Sequence, residues 1–314
     1  MDPYLVYSRY RDDAFASQLT SASYTVFVAM PFRDRYSYRA SDIYTEVIQP
    51  AAAYANQLLA SGHTPTFTRR FAVPRRIDDQ PQTGRDIGGE IAKAIMMAHM
   101  IVADLTFAND GVMLEVGAAL ALKPTTHVIL ITQGDPAELH FNIKGNAVLP
   151  YTPSTGTERI AQALVAAAGD FETRRGEYLT HLSRELPRDS IWLMNWYGRL
   201  KCGKLFGRRV NSAESSFYEG TGWQAFLESV MPEGKNPASE RLESSVRFQL
   251  ALRELLKRRL LWTDYRAQTP QPGLETCEYR GTRLGWMFIE QHWPDLRRPE
   301  TEVDSSDRQA SAAT

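Results

Sequence analysis

Three short apolar runs separated by helical patterns constrain the fold of this chain most strongly. They cover residues 24–30 (YTVFVAM), 100–103 (MIVA) and 127–132 (HVILIT). Runs of this length and composition are typical of strands that are buried on both faces in a parallel sheet. Helical patterns lie between them, so the sequence predicts βαβ units and an α/β fold with a doubly wound, flavodoxin-like parallel sheet.

The spacing of apolar residues predicts the elements that connect these strands. Helices are expected at 41–59, 88–98 and 111–122, and a weaker strand at 64–71. Proline lacks the N–H that an interior helical position donates, so Pro50 predicts a kink or break in the first helix.

The βαβ rhythm ends near residue 169, and a different organisation follows. Helical stretches are predicted at 191–200, 223–230 and 239–259, then a hairpin over 260–280 with a TPQPG turn at 269–273, and a closing helix over 281–292. Helix, hairpin, helix is the layout of a winged-helix domain. The predicted domains are an extension (1–23), an α/β domain (24–168), a helical connection (169–237), a winged-helix-like domain (238–298) and a disordered polar tail (299–314).

Composition narrows the class of protein. The 314 residues carry a formal net charge of −1, which does not favour a generally basic nucleic-acid coat. Cys202 and Cys277 stand alone, without the His or Cys spacing of a zinc site, so no metal and no disulfide framework are predicted. No apolar stretch reaches the ~18 residues that a bilayer requires, and the first residues are polar. We therefore expect a cytoplasmic protein without a membrane partner.

Polar residues directly after the strand at 100–103 indicate a ligand site. Asp104, Thr106 and Asn109 follow its carboxyl end, the edge where open α/β sheets bind ligands, so we expect their side chains to point into an open crevice rather than into the core. Glu115 is the only charged residue of the helix that follows, and near the start of that helix the dipole would favour its ionised form by about 0.3–1 kcal/mol. The alternative is structural: Asp104 caps the next turn and Glu115 is a solvated helix residue.

Three segments of the first half together resemble the nucleoside 2-deoxyribosyltransferase-like family, which overlaps with TIR-type NAD hydrolases. They are VFVAMPF (26–32), GGEIAKAI (88–95) and ADLTFANDGVMLEVGAALAL (103–122), and the resemblance covers about residues 24–165. It implies an N-glycosidase that cleaves the bond between a base and a ribose. The implied substrate is NAD or a (deoxy)nucleoside phosphate, with no cofactor, and the implied assembly is a homo-oligomer.

The resemblance also assigns roles to individual residues. Glu115 would be the catalytic carboxylate, because an oxocarbenium-like transition state needs a negative charge near C1′. Asp104 would assist by holding a sugar hydroxyl or the base. In one departure from the family, Leu114 stands where many relatives carry an aromatic residue. The residues implied in substrate binding are Met30, Phe32, Arg33, Asp86, Gly88, Gly89 and Asn109.

Arginines near this predicted site suggest a phosphate-bearing substrate. Guanidinium groups bind phosphate through paired hydrogen bonds, and a helix start such as Gly88–Gly89 attracts anions. A solvated basic loop is the alternative. His99 and His127 flank strands and are predicted to be core residues rather than catalysts. The arginines concerned are Arg33, Arg35, Arg69, Arg70, Arg75, Arg76 and Arg85.

A second basic run, without any acidic residue, lies between residues 199 and 209. It predicts contact with nucleic acid or a nucleoprotein partner. Its cations are Arg199, Lys201, Lys204, Arg208 and Arg209, with Arg258 and Arg259 as possible additions. An N-glycosidase joined to a winged-helix-like module resembles toxic effectors of bacterial anti-phage systems, including retron-associated ones. Two other readings stay open: a nucleotide-sensing, nucleic-acid-binding regulator without turnover, and a metabolic deoxyribosyltransferase.

Overall fold

The structure, a computed structural model, describes residues 14–15, 17–31, 33–34, 36–61, 69–77, 87–139, 143, 145–200, 237–266 and 276–296. The chain divides into two compact units, Met1–Gly176 and Glu177–Thr314. The division falls inside a long helix, Pro153–Glu185. Among the helices of the described ranges, none is both long enough and apolar enough to cross a bilayer.

Parallel strands form the centre of the first unit, as predicted. Strands β2 (Val26–Ala29), β4 (Met100–Asp104), β5 (Val128–Thr132) and β6 (Val148–Pro150) pair in that spatial order, and every pair is parallel. The continuous apolar runs of the sequence are therefore buried strands, and the α/β class is confirmed.

The predicted strand over residues 24–30 is divided at Thr25. A short strand β1 (Ser23–Tyr24) precedes Thr25 and β2 follows it. The N–H group of Thr25 donates to Nδ1 of His99 at 3.0 Å instead of to a neighbouring strand, which interrupts the ladder. A side chain distant in sequence thus causes a break that local pattern could not predict.

An edge segment runs beside β1 and β2. Strand β3 (Arg70–Phe71) pairs in parallel with β1, and Arg75 continues the pairing by hydrogen bonds to Val26 and Val28. The spatial order of the sheet is therefore the edge segment, β1 with β2, β4, β5, β6. Of the predicted strand at 64–71, residues 64–68 lie outside the described residues.

Helices cover both faces of this sheet. On one face, α3 (Ile87–Met97) and α4 (Asp110–Leu122) pack side by side and join a buried apolar cluster with alternate strand residues. The other alternate residues, such as Val28 and Val102, are equally buried, so the opposite face is covered as well. Burying one such side chain contributes about 1.5–3 kcal/mol.

The first long helix contains a widened turn instead of the predicted kink or break. It consists of α1 (Ala40–Asp42), a π-helical turn (Ile43–Ile48) and α2 (Gln49–Ser61) in unbroken succession. Gln49 donates to the carbonyl of Tyr44, five residues earlier, immediately before Pro50. The wider turn accommodates a residue that lacks an N–H and whose ring crowds the preceding carbonyls.

The second unit has the helix, hairpin, helix order. It contains the end of α5 (Pro153–Glu185), α6 (Arg188–Leu200), α7 (Pro237–Lys257), an antiparallel hairpin of β7 (Leu261–Arg266) and β8 (Thr276–Gly281), and α8 (Arg283–His292). Thr282 caps α8, so the closing helix starts two residues later than predicted. The predicted helix at 223–230, the TPQPG turn and the tail at 299–314 lie outside the described residues.

Candidate active site

The loop between β4 and α4 lies at the carboxyl edge of the sheet. A short 3₁₀ turn, Thr106–Ala108, leads from the strand to Asn109, which is the N-cap of α4. The Asn109 Oδ1 atom accepts hydrogen bonds from the N–H groups of Gly111 at 3.0 Å and Val112 at 3.2 Å. Capping by Asn typically contributes about 1 kcal/mol, so Asn109 has a structural role beside its predicted contact with substrate.

Asp104 is fully buried, and both of its carboxyl oxygens accept hydrogen bonds. Oδ1 accepts from the N–H of Thr106 at 3.0 Å and from its Oγ1 at 2.5 Å. Oδ2 accepts from the hydroxyl groups of Tyr38 at 2.9 Å and Tyr151 at 2.5 Å. The expectation that Asp104 points into an open crevice was therefore wrong, as was the same expectation for the buried Thr106. Donors from three segments enclose the carboxyl group, and Asp104 holds this edge together.

The environment of Asp104 shifts several pKa values. Burial raises the pKa of Asp104, and the four hydrogen bonds that it accepts oppose this rise. Burial also raises the pKa values of Tyr38 and Tyr151, and the negative charge of Asp104 adds to the effect. Both phenols therefore stay protonated and remain donors to the carboxyl group.

Glu115 is buried, with 9% of its surface exposed, and shares a face of α4 with Val112, Val116 and Ala119. Burial is the only influence that shifts its pKa, which rises from 4.5 to about 7. In the described part of the chain, no hydrogen-bond donor or cation contacts its carboxyl group. This contrasts with Asp104, whose carboxyl group is enclosed by donors.

The expectation that the surroundings of Glu115 favour its ionised form was wrong, because burial raises its pKa. Since α4 begins at Asp110, Glu115 is its sixth residue and lies beyond the first turn, where the dipole acts. A dipole contribution of about 0.3–1 kcal/mol is smaller than the roughly 3 kcal/mol that corresponds to the rise in pKa. The solvated-residue alternative was also wrong, because Glu115 is buried.

The remaining predicted substrate residues lie in three places. Met30 directly follows β2 and is buried, while Arg33, farther along the same loop, is exposed. Gly88 and Gly89 are exposed in the first turn of α3. Phe32 and Asp86 lie outside the described residues. Leu114 is 78% exposed, so an aromatic residue at that position would point away from Glu115.

A cavity of about 1030 Å³ lies between the edge segment and α3. Phe27, Arg75, Arg76 and Gly89 are among its lining residues, whereas Asp104 and Glu115 are not. Arg69, directly before β3, is buried and donates to the carbonyl groups of Gln18 and Leu19. Its predicted contact with phosphate is therefore wrong.

Arg76 remains a candidate for contact with an anion. It is buried, and its guanidinium group lies 5.1 Å from the centre of the Tyr44 ring. Arg70 and Arg75 are exposed. Arg35 and Arg85 lie outside the described residues. The arginines predicted to bind phosphate therefore do not form one cluster. Arg69 binds backbone carbonyl groups, Arg76 is buried beside Tyr44, and Arg70 and Arg75 are exposed.

The two histidines are core residues, as predicted. His99 is buried, its Nδ1 atom lies 3.0 Å from the backbone nitrogen of Thr25, and burial lowers its pKa to about 3. His127 is also buried, and burial lowers its pKa as well.

Two exposed aromatic residues at this edge were not predicted. Tyr36 (φ 52°) and Phe107 (φ 66°) both adopt the left-handed backbone region, and their ring centres are 5.8 Å apart. Such a conformation costs about 1–3 kcal/mol for a residue other than glycine. No local signal in the sequence marks it, because Tyr and Phe rarely adopt it. Tyr38 and Tyr151 were also missed, although Tyr151 follows a strand at the same edge.

Only part of the predicted basic surface can be located in the second unit. Arg199 is exposed on α6 and donates to Oδ1 of Asn195 at 2.8 Å. Arg258 forms ion pairs with Glu185 and Glu254, so it is engaged within the unit. Arg259 is exposed. Lys201, Lys204, Arg208 and Arg209 lie outside the described residues.

Comparisons with known proteins give no relative. No family model matches the chain, and no curated protein or solved structure is significantly similar to it.

Proposed function

We propose that the first unit is an N-glycosidase that cleaves the bond between base and ribose in NAD or a (deoxy)nucleoside phosphate, with Glu115 as the catalytic carboxylate. Two features support this proposal. The spatial order of the strands, 2-1-3-4-5 in chain order, is that of flavodoxin-like sheets, which bind ligands at the carboxyl edge. The segments 26–32, 88–95 and 103–122 resemble the nucleoside 2-deoxyribosyltransferase-like family.

The burial of Glu115 without a partner is the observation on which the proposal mainly depends. Carboxyl groups in cores are normally paired, as Asp104 is, whereas Glu115 is largely buried with carboxyl oxygens that are not fully enclosed and that accept no hydrogen bond from the described residues. A strongly shifted pKa caused by burial is typical of catalytic groups. The shift to about 7 leaves a useful fraction of Glu115 ionised at neutral pH.

The chemistry requires one ionised carboxylate near C1′ of the ribose. As the bond from C1′ to the base nitrogen breaks, its electron pair leaves with the base and positive charge develops on the sugar. The carboxylate of Glu115 stabilises that charge or bonds to C1′. Water that then attacks C1′ gives hydrolysis and releases a proton, whereas a second base gives transfer. In this scheme Asp104 positions the loop and does not contact the sugar.

A substrate panel tests the proposal. Purified protein is incubated with NAD, nucleoside 5′-phosphates, deoxynucleoside 5′-phosphates and nucleosides, and free base is measured by chromatography. We expect release of free base from at least one phosphate-bearing compound. Release from none of them would contradict the N-glycosidase assignment.

The second unit is proposed to be a winged-helix-like module that binds nucleic acid or a nucleoprotein partner. The order of α7, the β7–β8 hairpin and α8 supports this reading. Uncontrolled loss of NAD or nucleotides harms a cell, so the combination fits a toxic anti-phage effector in the cytoplasm whose activity is restrained until a partner is recognised.

A second candidate function is a nucleotide-sensing regulator without turnover. The complete enclosure of Asp104 favours it, because only one of the two predicted catalytic carboxyl groups is unpaired. The substrate panel distinguishes the two functions when binding is measured beside base release. A regulator binds a compound of the panel at saturable sites and leaves it intact.

A further inference from the structure

Tyr36 and Phe107 form an exposed aromatic pair at the carboxyl edge of the sheet. Tyr36 is 79% exposed and Phe107 41% exposed, and the ring planes are inclined by 50° with centres 5.8 Å apart. One residue comes from the loop after β2 and the other from the loop after β4. These two strands are neighbours in the sheet, so the pair spans the point at which the strand order reverses.

The loop that carries Phe107 is held in place by contacts with Tyr38 and Asp104. The Phe107 ring meets the ring of Tyr38 edge to face, with centres 5.8 Å apart and planes inclined by 83°. Tyr38 in turn donates to Asp104, and Thr106, directly before Phe107, is bonded to the same carboxyl group through its N–H and its hydroxyl group. The enclosed Asp104 therefore helps to fix the position of Phe107.

Both members of the pair adopt an unfavourable backbone conformation while their rings face solvent. Folding alone favours glycine or asparagine at a left-handed position and a polar residue at an exposed one. Residues kept in such conformations cluster at ligand sites, where the surrounding structure holds them. A flat aromatic face in water is suited to a planar heteroaromatic ring.

We propose that Tyr36 and Phe107 form the surface on which the base of the nucleotide substrate stacks. The inference rests on the proposed function, since it names the part of the site that receives the base. The 50° inclination lets a base lie flat on one ring while its edge meets the other ring, and both arrangements are favourable between aromatic groups. Stacking recognises any aromatic base, so this surface would select base-bearing compounds over sugar phosphates.

Binding measurements with variants of the pair test the inference. The variants are Tyr36→Leu with Phe107→Leu, which keeps apolar side chains without flat rings, and Tyr36→Phe with Phe107→Trp, which keeps the rings. Both are made in the Glu115→Gln background to prevent turnover. The probes are NAD, AMP and ribose 5-phosphate, with affinity measured by calorimetry and folding checked by circular dichroism.

We expect the leucine variant to bind NAD or AMP about 5- to 150-fold more weakly, the range typical for loss of one stacked base. The ring-keeping variant should bind within about threefold of the Glu115→Gln background. Ribose 5-phosphate, which has no base, should bind equally to all three proteins. The first unit contains no tryptophan, so the indole that Phe107→Trp introduces should also report the stacked base by quenching of its fluorescence.

Several results would overturn the inference. They are unchanged affinity of the leucine variant for NAD and AMP, an equal loss of affinity for ribose 5-phosphate, or no binding of either base-bearing probe. Failure of the proposed function gives a different pattern. Base release by the parent protein with unchanged KM in the leucine variant refutes stacking and leaves the N-glycosidase assignment intact. Ring-dependent binding without any base release supports stacking and refutes catalysis.

Discussion

At the scale of single residues, two carboxyl groups near one sheet edge have opposite environments. Asp104 accepts four hydrogen bonds, whereas Glu115 accepts none from the described residues and burial alone raises its pKa. The raised pKa of each carboxyl group means that both cost stability when ionised, but only Asp104 joins three segments through hydrogen bonds that partly offset this cost. Retention of a destabilising carboxyl group is expected where function requires the charge.

The pH dependence of stability tests this view of Glu115. The folded pKa of about 7 exceeds the unfolded value of 4.5, so the native state retains a proton that the unfolded state has lost. The free energy of unfolding should therefore fall as pH rises from about 4.5 to 7, and the full cost is present above 7. Glu115→Gln removes this titration and should be more stable than the parent at pH 8 by about 2–3 kcal/mol.

Urea unfolding of both proteins at pH 5 and pH 8 measures the effect. The difference in free energy of unfolding between the parent and Glu115→Gln should be small at pH 5 and large at pH 8. The exposed residue Glu138 provides a control, since Glu138→Gln should not show this pattern. A difference between parent and Glu115→Gln that is the same at both pH values would contradict the burial of an unpaired carboxyl group.

Removing one donor from Asp104 should have the opposite consequence. Tyr151→Phe deletes the hydroxyl group that lies 2.5 Å from Oδ2, and a hydrogen bond to a charged group contributes about 1.5–3 kcal/mol. We expect Tyr151→Phe to lower the urea concentration at which the first unit unfolds. Hydrogen exchange of the amides in β4 and β5 measures this unfolding. Tyr54→Phe is the matched control, because the Tyr54 hydroxyl makes no hydrogen bond in the described residues. Equal effects of the two variants would contradict the anchoring role of Asp104.

The sequence singled out the two carboxylate residues, but it did not predict which side chains surround each of them. Glu115 was conspicuous because it is the only charge between Gly111 and Leu122 in an otherwise apolar segment, so the sequence alone marked it as a candidate. The enclosure of Asp104 could not, since Tyr38 and Tyr151 lie 66 and 47 residues away along the chain. The left-handed backbone of Tyr36 and Phe107 was equally invisible, because it depends on contacts between loops.

At the scale of elements, apolar patterns predicted the strands and most helices of the first unit. The departures have specific causes. A side chain of His99 interrupts the first strand at Thr25, and a π-helical turn accommodates Pro50. Both depend on hydrogen bonds that a pattern of apolar residues does not encode. In the second unit the predicted hairpin and closing helix are present, and the winged-helix assignment stays a prediction.

A close backbone approach in the second unit leads to a prediction at this scale. A Cβ atom on Gly285, near the start of α8, would lie 2.1 Å from the carbonyl oxygen of Leu260, at the start of the hairpin. Because the obstructing atom belongs to the backbone, Gly285→Ala should destabilise the second unit by about 1–3 kcal/mol. Gly169→Ala in α5 meets nothing within 4 Å and should instead stabilise its helix by about 0.5–1 kcal/mol.

Tryptophan fluorescence measures this effect in the second unit alone. All six tryptophans lie beyond residue 176, so their emission during urea unfolding reports that unit. A fluorescence midpoint for Gly285→Ala equal to that of the parent would show that helix and hairpin do not approach as closely as described.

At the scale of the whole molecule, the chain joins a unit with an unpaired buried carboxyl group to a unit with the helix, hairpin, helix order. We expect the second unit to bring the first to nucleic acid or to a nucleoprotein partner. Electrostatic contact of this kind has a measurable signature, because each neutralised phosphate releases counterions.

The salt dependence of binding tests the basic run. Replacing Arg199, Lys201 and Lys204 by Ala should weaken binding to DNA or RNA and reduce the slope of log affinity against log salt by about 0.7–0.9 per lost contact. A matched control replaces Arg39, Lys93 and Arg159, which are exposed cations of the first unit outside the predicted phosphate-binding arginines. No binding of the parent to single- or double-stranded DNA or RNA at low salt would contradict a nucleic-acid role.

Release of base by the Glu115→Gln variant tests the central claim most directly. Parent, Glu115→Gln and Glu138→Gln are compared at equal concentration on the compound that the parent cleaves fastest, with free base measured by chromatography. Loss of the charge at the transition state should slow Glu115→Gln by about 100-fold or more, while Glu138→Gln keeps the parent rate. Release by Glu115→Gln within a few-fold of the parent rate would contradict its assignment as the catalytic carboxylate.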